Sequence, residues 1–327
     1  MDVLKKDIRG FSKKIEEVKR EVSKGIIGQE MVIDAVLKSI ICNGHILLES
    51  VPGLAKTMLV RLLTQTIKGA SFERIQFTPD LLPTDITGVT IYEEIKGFYT
   101  QKGPIFANIL LGDEINRASP KVQSAMLQAM EERRVTIGKE TFDLPKPFIV
   151  LATENPLEQQ GVYPLAVAQV DRFLFKIYVD YPAEEDELVI IDKNMETVRM
   201  EDFGIKEVWS PKEIMDLQEM VKSIYISDEV KEYIVNIVDS TRNPDSYGVE
   251  IGKYAQYGAS PRASIFLALA AKATALMDNR TFVIPEDVVS VAHPILNHRM
   301  ILNYEGSARG IKTGDIIESL LAAVPVL

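Results

Sequence analysis

Residues 47–57 read LLESVPGLAKT, a short apolar run, a Pro-Gly turn and then a lysine and a threonine that open a helical pattern. A strand that leads through such a loop into a helix is suited to phosphate binding, because the backbone amides at a helix start attract anions. The pattern G-x-x-x-x-G-K-[ST] is not met literally, since Ser50 and Ala55 stand at its two glycine positions. Taken alone, the stretch is therefore also compatible with an ordinary strand–turn–helix connection.

The loop carries groups suited to nucleotide and metal binding. Its backbone amides can face a phosphate, the Lys56 ammonium can reach β- and γ-phosphate oxygens, and the Thr57 hydroxyl can join a Mg²⁺ coordination shell. We therefore predict Thr57 as a metal ligand. The predicted nucleotide-binding residues of this segment are Ser50, Val51, Pro52, Gly53, Leu54, Ala55, Lys56, Thr57 and Met58.

Two further apolar runs end in polar side chains. Residues 109–114 read ILLGDE, and residues 148–155 read FIVLATEN. Ligands of open α/β sheets bind at the carboxyl ends of the strands. We predict that Asp113 binds nucleotide and holds Mg²⁺ through water, that Glu114 activates the attacking water, and that Asn155 contacts the γ-phosphate or that water. In isolation, each of these polar ends is also compatible with a solvated turn.

Short apolar runs alternate with helical patterns in the first 181 residues. Runs this short, apolar on both faces, are typical of a parallel sheet covered by helices on both sides. After residue 181 helical patterns take over. We predict an α/β fold with a P-loop NTPase parallel sheet, followed by a smaller all-helical lid domain. The predicted strands lie at residues 45–48, 72–77, 109–111, 148–152 and 175–179, and later helices at 211–222, 228–240, 261–277 and 285–297.

Composition narrows the class of protein. The chain has 327 residues, a net charge of -10 and one cysteine, Cys42, which excludes an internal disulfide and is expected to be buried. Nucleic-acid binding is disfavoured because it depends on clustered lysine and arginine. No apolar run reaches the roughly 18 residues needed to span a bilayer, and no signal peptide is evident, so we expect no membrane insertion and a cytoplasmic location.

Together, these segments resemble the MoxR family of AAA+ ATPases. That family typically reads GVPGLAKT, DEINRA, ATxNP and GTYPLPEAQLDRF. The corresponding segments here are SVPGLAKT at 50–57, DEINRA at 113–118, ATENP at 152–156 and GVYPLAVAQVDRF at 161–173. The likeness extends to residues 77–88, 258–263 and 285–288, and so covers nearly the whole chain. Two departures stand out: Ser50 replaces the first glycine, and Ala166-Val167 replaces Pro-Glu.

The resemblance implies roles for matching residues. Asn155 corresponds to sensor 1, Arg172 to an arginine finger that reaches the neighbouring subunit's γ-phosphate, and Arg262 to sensor 2 on the lid. Gly28, in the loop 25–29, lies where the family packs against adenine. The implied ligands are ATP or ADP with Mg²⁺. The implied assembly is a homo-oligomer, expected to be a hexameric ring.

The change from short apolar runs to helical patterns after residue 181 predicts the domain boundaries, and the resemblance names the domains. We expect a AAA+ nucleotide-binding domain at 1–181 that begins with a helix, a linker at 182–209 and the lid at 210–327. A hairpin inserted near 77–103, with its turn at Lys96-Gly97, either touches a client or packs against its own domain.

The function implied is that of a chaperone-like remodeller or activator that hydrolyses ATP, with a partner carrying a von Willebrand factor A domain. Two alternatives remain open at this point. One is a nucleotide-binding assembly scaffold with weak turnover, and the other is a motor on nucleic acid, which the acidic composition disfavours.

Overall fold

The structure is a computed structural model that describes residues 2–95, 97–157, 161–194 and 200–326. It divides into two compact units. The α/β unit comprises Lys14–Arg172 and Ile177–Asp216. The helical unit comprises the residues up to Lys13, Phe173–Lys176 and the residues from Leu217 onward.

Helices occur in both units and are numbered here in chain order. They are α1 (Asp2–Val22), α2 (Glu30–Ile41), α3 (Lys56–Gln65), α4 (Pro83–Thr87), α5 (Pro120–Glu132), α6 (Val167–Val170), α7 (Glu184–Asn194), α8 (Pro211–Ser223), α9 (Asp228–Ser240), α10 (Pro261–Met277), α11 (Pro285–Leu296), α12 (Tyr304–Ala308) and α13 (Thr313–Ala323).

The strands are numbered in the same way. They are β1 (Ile46–Ser50), β2 (Phe72–Gln76), β3 (Gly88–Glu93), β4 (Gly97–Lys102), β5 (Ile109–Asp113), β6 (Arg134–Ile137), β7 (Glu140–Asp143), β8 (Ile149–Glu154), β9 (Phe175–Val179), β10 (Ala255–Tyr257) and β11 (Ile301–Leu302).

Among the described residues, five strands form one sheet in the order β2-β5-β8-β1-β9. The pairs β2–β5, β5–β8 and β8–β1 are parallel. Every residue of β5 is buried, as are all but one in each of β1 and β8. Burial on both faces explains why these strands are continuous apolar runs. The predicted fold class, a parallel sheet with helices on both faces and a lid, is confirmed.

The segment 182–209, predicted as a linker, contains α7 and a 3₁₀ turn at Met200–Phe203. Trp209 is buried, and the Lys68 amide donates to its carbonyl at 2.8 Å, so this part of the chain is fixed beyond the end of α3. Residues as far as Asp216 belong to the α/β unit. The predicted boundaries at 181 and 210 therefore do not coincide with the edges of the compact units. The predicted nucleotide-binding domain begins at residue 1, whereas residues up to Lys13 group with the helical unit.

Two antiparallel strand pairs were not predicted. The pair β6–β7 lies in the α/β unit, and β10–β11 lies in the helical unit, which is therefore not entirely helical. Strands of two to four residues are too short to show a period-2 pattern, which is why the sequence did not indicate them.

The hairpin predicted near 77–103 is formed by β3 and β4. Its base packs against its own unit, because the Lys102 ammonium lies 4.8 Å from the Phe106 ring centroid and 5.0 Å from that of Phe142. Lys96, half of the predicted turn, lies outside the described residues. Packing at the base agrees with one of the two predictions for this hairpin, that it packs against its own domain.

The four helices predicted for the second half of the chain are observed with ends that differ by at most one residue. Serine hydroxyls cap α9 and α10, since Ser227 Oγ accepts from the Val230 amide and Ser260 Oγ from the Arg262 amide, both at 3.3 Å. Such caps satisfy amides that a helix start leaves unpaired. Capping explains why these helix starts were readable from the sequence.

Cys42 is buried, as predicted, and burial raises the pKa of its thiol. The described residues contain no cluster of three or more His, Cys, Asp or Glu side chains that could hold a metal ion. They also contain no helix long and apolar enough to cross a membrane.

His45 is buried beside the sheet and is held neutral. Its Nδ1 accepts from the Val150 amide at 3.0 Å, and its Nε2 lies 3.1 Å from the Met130 carbonyl oxygen, to which it donates. Burial, together with the positive charge of Arg133, lowers the pKa of His45 well below its ordinary value. The fold therefore excludes the protonated imidazole.

We expect the α/β unit to lose stability in mild acid because of His45. In the unfolded chain His45 takes up a proton at about pH 6.5, whereas in the folded chain it resists protonation. The stability that neutral His45 contributes is therefore complete above that pH and is lost as the pH falls below it. The free energy of unfolding then falls with a limiting slope of about 1.4 kcal/mol per pH unit for one proton. The measurement is urea unfolding at pH 7.5, 6.5 and 5.5.

His45→Gln should flatten this dependence, because glutamine can donate and accept without gaining a proton. His293→Gln is the matched control, since His293 lies on α11 in the other unit. An unchanged slope in His45→Gln would contradict the assignment.

Candidate nucleotide site

The phosphate loop connects β1 to α3. Ser50 is the last residue of β1, and Lys56 is the first residue of α3. Between them, Gly53 has φ +92° and Ala55 has φ +52°. The left-handed backbone is therefore at Ala55 and not at Ser50, which is buried in extended strand backbone. Ser50 therefore causes no backbone strain, because a residue other than glycine is strained only where φ is positive.

Lys56 is directed back along this loop. Its Nζ lies 3.4 Å from the Ser50 carbonyl oxygen. Burial lowers the pKa of Lys56, and the nearby charges of Asp113 and Glu114 oppose that shift. A partly desolvated ammonium attracts phosphate oxygens strongly, because its charge is poorly screened by water. The two carboxylates repel the same oxygens, so a bound phosphate would need a cation beside them.

Asp113, at the end of β5, has both carboxylate oxygens engaged. The Thr153 hydroxyl donates to Oδ1 and the Arg74 guanidinium donates to Oδ2, each at 2.6 Å. Thr153 Oγ1 also accepts from the Glu114 amide at 2.9 Å. Thr153 is therefore a positioning residue for the two acidic residues, which the sequence analysis missed. The register Gly112↔Ala152 between β5 and β8 is what brings it close.

Glu114 follows the strand with a left-handed backbone, φ +59°. Its Oε2 accepts from Gln76 Nε2 at 2.9 Å and from Arg117 Nη1 at 3.0 Å. Arg74 Nη2 donates to Gln76 Oε1 at 2.5 Å. Gln76, Arg74 and Arg117 were also missed, because only the observed neighbourhood of β2 and β5 shows that they reach the acidic pair. The DEINRA segment would have offered Arg117 as a candidate.

Asn155 lies directly after β8 and is buried. Its Oδ1 accepts from the Leu157 amide at 3.1 Å, which fixes the side chain at the end of the strand. Since β8 lies between β1 and β5, Asn155 lies at the same carboxyl end of the sheet as the phosphate loop and the acidic pair.

The loop that contains Gly28 packs against the first turn of α3. A Cβ added at Gly25 would lie 2.8 Å from Met58 Cε, and one added at Gly28 would overlap the Asp186 carboxylate of α7. Gly28 also has φ +70°. The predicted nucleotide-binding residues Gly28 and Met58 therefore border one region, and α7, within the predicted linker, forms part of its wall.

The family implies roles for two arginines, one in each unit. Arg172 is the last residue of the first segment of the α/β unit, just after α6, and its Nη2 lies 2.9 Å from Glu131 Oε2 of α5. Arg262 lies in the first turn of α10, in the helical unit. Their roles as arginine finger and sensor 2 stay predictions.

The donor groups fit a magnesium–nucleotide complex better than an all-protein metal site. Mg²⁺ in proteins is usually held by one or two oxygen ligands together with substrate phosphates and water. Thr57 is the second residue of α3, beside the phosphate loop, and Asp113 is the buried carboxylate at the neighbouring strand ends. These are the residues that would hold it.

Comparisons with known proteins agree with this geometry. A model of the ATPase family associated with various cellular activities (AAA) matches residues 45–175, and a model of the AAA lid domain matches residues 251–320. The first match contains the phosphate loop, the acidic pair and Arg172, and the second contains Arg262.

Several relatives match along most of the chain. Chaperone MoxR1 of Mycobacterium tuberculosis is 44% identical over 306 residues, which cover 93% of this chain and 80% of that protein. Protein MoxR of Methylorubrum extorquens is 28% identical over 322 residues, which cover 94% of this chain and 93% of that protein. A crystal structure of a Cytophaga hutchinsonii protein, provisionally named an ATPase, has a TM-score of 0.91 at 46% identity, covering 98% of this chain and 97% of that chain.

We expect Gly28→Ala to weaken both stability and nucleotide binding. Alanine would add the cost of a left-handed backbone, about 1–2 kcal/mol, and its methyl group would displace Asp186 from the loop. Urea unfolding and the affinity for a fluorescent ADP are the two measurements.

Gly10→Ala is the matched control, because a Cβ added at Gly10 meets nothing within 4 Å. It should leave nucleotide affinity unchanged and, as a glycine replaced within α1, should not destabilise the chain. Equal ADP affinity in Gly28→Ala and wild type would separate Gly28 from the nucleotide site.

Proposed function

The chain belongs to the MoxR family of AAA ATPases, and from this premise we propose that it hydrolyses ATP to ADP and phosphate with Mg²⁺, as a subunit of a ring that remodels or activates a partner protein. One observation carries the proposal. The strands β5, β8 and β1 are adjacent, and their carboxyl ends present the acidic pair, Asn155 and the Lys56 loop at one end of the sheet. These are the groups that hydrolysis of a phosphoanhydride needs.

Each residue has a role that its surroundings support. The Lys56 ammonium, partly desolvated, would bind phosphate oxygens, while the loop amides around Gly53 and Ala55 would orient them. Glu114 would accept a hydrogen bond from the attacking water and polarise it. Asn155, fixed at the end of β8, would hold the same water or a γ-phosphate oxygen. Bound Mg²⁺ would supply positive charge that offsets charge developing on the phosphate oxygens.

Arg172 is proposed to act on the nucleotide of a neighbouring subunit. In the single chain it contacts Glu131, with its side chain about one-third exposed. An ion pair this exposed costs little to break, so the guanidinium is free to turn toward a neighbour. Arg262 would act from the helical unit as sensor 2. Gln169 Oε1 accepts from the Ala166 amide at 2.7 Å, which closes the first turn of α6 despite the Ala166-Val167 departure.

The remodelling part of the proposal rests on the relatives and on the β3–β4 hairpin. One relative is named a chaperone. At the hairpin tip, the rings of Tyr92 and Phe98 face each other with centroids 5.0 Å apart, and both side chains are largely exposed. Exposed aromatic side chains are typical of protein-binding surfaces. We propose this tip as the contact with a partner, for which a von Willebrand factor A domain is the candidate.

The alternative, an assembly scaffold with weak turnover, has a specific observation in its favour. Gln76 and Arg117 both donate to Glu114 Oε2, and Glu131 holds Arg172. If these contacts persist in the assembled protein, water activation and the arginine finger are both withheld. Turnover in the oligomer distinguishes the two functions.

We expect Glu114→Gln to lower steady-state ATP turnover by about a hundredfold or more, because a neutral amide cannot polarise water as a carboxylate does. ATP affinity should stay near that of wild type, since Glu114 is proposed to touch water rather than phosphate. Turnover, binding and oligomer size are measured in the same samples.

Glu132→Gln is the matched control, since Glu132 lies in the same unit and pairs with the exposed Arg134. If the wild-type oligomer binds ATP but turns over no faster than Glu114→Gln, the scaffold function is favoured.

Mixing two inactive variants tests whether Arg172 acts between subunits. Glu114→Gln and Arg172→Ala should each be inactive alone, because each ring then lacks one required group at every site. In an equimolar random mixture, about one quarter of the sites would pair an intact Glu114 with a neighbour's intact Arg172, so turnover should recover toward that fraction. Turnover no higher than that of the separate variants would contradict action between subunits.

A further inference from the structure

Arg74 lies on β2 at the edge of the sheet, next to the proposed metal site. β2 pairs in parallel with β5, with Arg74 opposite Leu111 and Gln76 opposite Asp113. Residues two apart in a strand point to the same side, so the Arg74 and Gln76 side chains lie together. From this position the Arg74 guanidinium reaches the Asp113 carboxylate, which is the acidic group proposed to hold Mg²⁺.

We propose that Arg74 is a competing cation at the Mg²⁺ site, which occupies Asp113 in the nucleotide-free protein and must release it when magnesium–nucleotide binds. The inference rests on the proposed Mg²⁺-dependent nucleotide binding. It assigns Arg74 as a residue that sets how strongly Mg²⁺ and nucleotide assist each other's binding.

Each carboxylate oxygen of Asp113 already accepts a hydrogen bond. Thr153 donates to Oδ1 and Arg74 donates to Oδ2, each at 2.6 Å. Thr153 is neutral and can remain beside a metal shell. Arg74 carries a charge of the same sign as the metal, so a guanidinium and Mg²⁺ on one carboxylate repel each other.

The ion pair between Arg74 and Asp113 can open. The Arg74 side chain is 43% exposed, whereas that of Asp113 is 12% exposed. Arg74 can therefore swing into solvent while Asp113 stays fixed by Thr153 and the strand. Gln76 Oε1 accepts from the same guanidinium nitrogen at 2.5 Å and so gives Arg74 a partner at the sheet edge.

Arg74 also balances negative charge at the strand ends when no metal is bound. Two carboxylates, Asp113 and Glu114, lie at strand ends where burial makes like charges costly to place together. Arg74 and Arg117 each neutralise one of them. The pair on Asp113 is the one that metal binding must replace, whereas the pair on Glu114 involves no proposed metal ligand.

The test measures the affinity of a fluorescent ADP with saturating Mg²⁺ and with EDTA. The dissociation constant with EDTA divided by the dissociation constant with Mg²⁺ measures the coupling between metal and nucleotide. Arg74→Gln should raise this ratio about twofold to fivefold, the range for a partly exposed ion pair, because Mg²⁺ no longer displaces a cation. Urea unfolding shows whether each variant is folded.

Arg117→Gln is the matched control. It removes the same charge from the same site but frees Glu114 rather than Asp113, so the ratio should stay that of wild type. A general effect of lost positive charge would instead raise the ratio in both variants, and this result would overturn the proposal.

A double-mutant cycle with Asp113→Asn gives the second readout. In that background Arg74→Gln should no longer change the ratio, because the contact is already lost. If wild type responds to Mg²⁺ and Arg74→Gln has an unchanged or lower ratio, the proposal fails while the proposed function stands. If wild-type ADP binding does not respond to Mg²⁺ at all, both fail.

Discussion

Burial of the central strands on both faces is the constraint on which the rest of the structure depends. β5, β8 and β1 run parallel through the interior of the α/β unit and have almost no exposed residues. Polar side chains are therefore confined to the positions where these strands end, and parallel strands end at the same edge. Gly112 shows how tight the packing is, because a Cβ there would lie 3.0 Å from the Phe77 ring. The position of the chemical groups follows from the packing of the core.

The site that results is a set of opposed charges. Lys56 faces the acidic pair Asp113 and Glu114, and burial has already lowered the pKa of its ammonium. Arg74 contacts Asp113, and Arg117 contacts Glu114. Without ligands, each charge thus has a partner within the chain. Binding a polyphosphate and a metal must rearrange these pairs, which makes the resting contacts part of the energetics of binding.

The proposed catalytic residues are spread over more than one structural unit. The loop, the acidic pair and Asn155 belong to the α/β unit, whereas Arg262 belongs to the helical unit. Arg172 is the last residue before the chain enters Phe173–Lys176, which group with the helical unit. A chemistry that draws on separate units, and in the proposal on separate subunits, is one that conformational change and assembly can regulate.

The sequence by itself determined the fold class, the phosphate loop, the acidic pair and most helices of the second half. Each of these leaves a local mark: an apolar run bounded by a turn, two carboxylates after a strand, or a serine or proline at a helix start. Only the tertiary structure decided that Ser50 stays in extended backbone, and that Thr153, Gln76 and Arg74 reach the acidic pair. These contacts depend on the order and register of strands that are distant in sequence, and no local pattern of residues encodes which strands become neighbours.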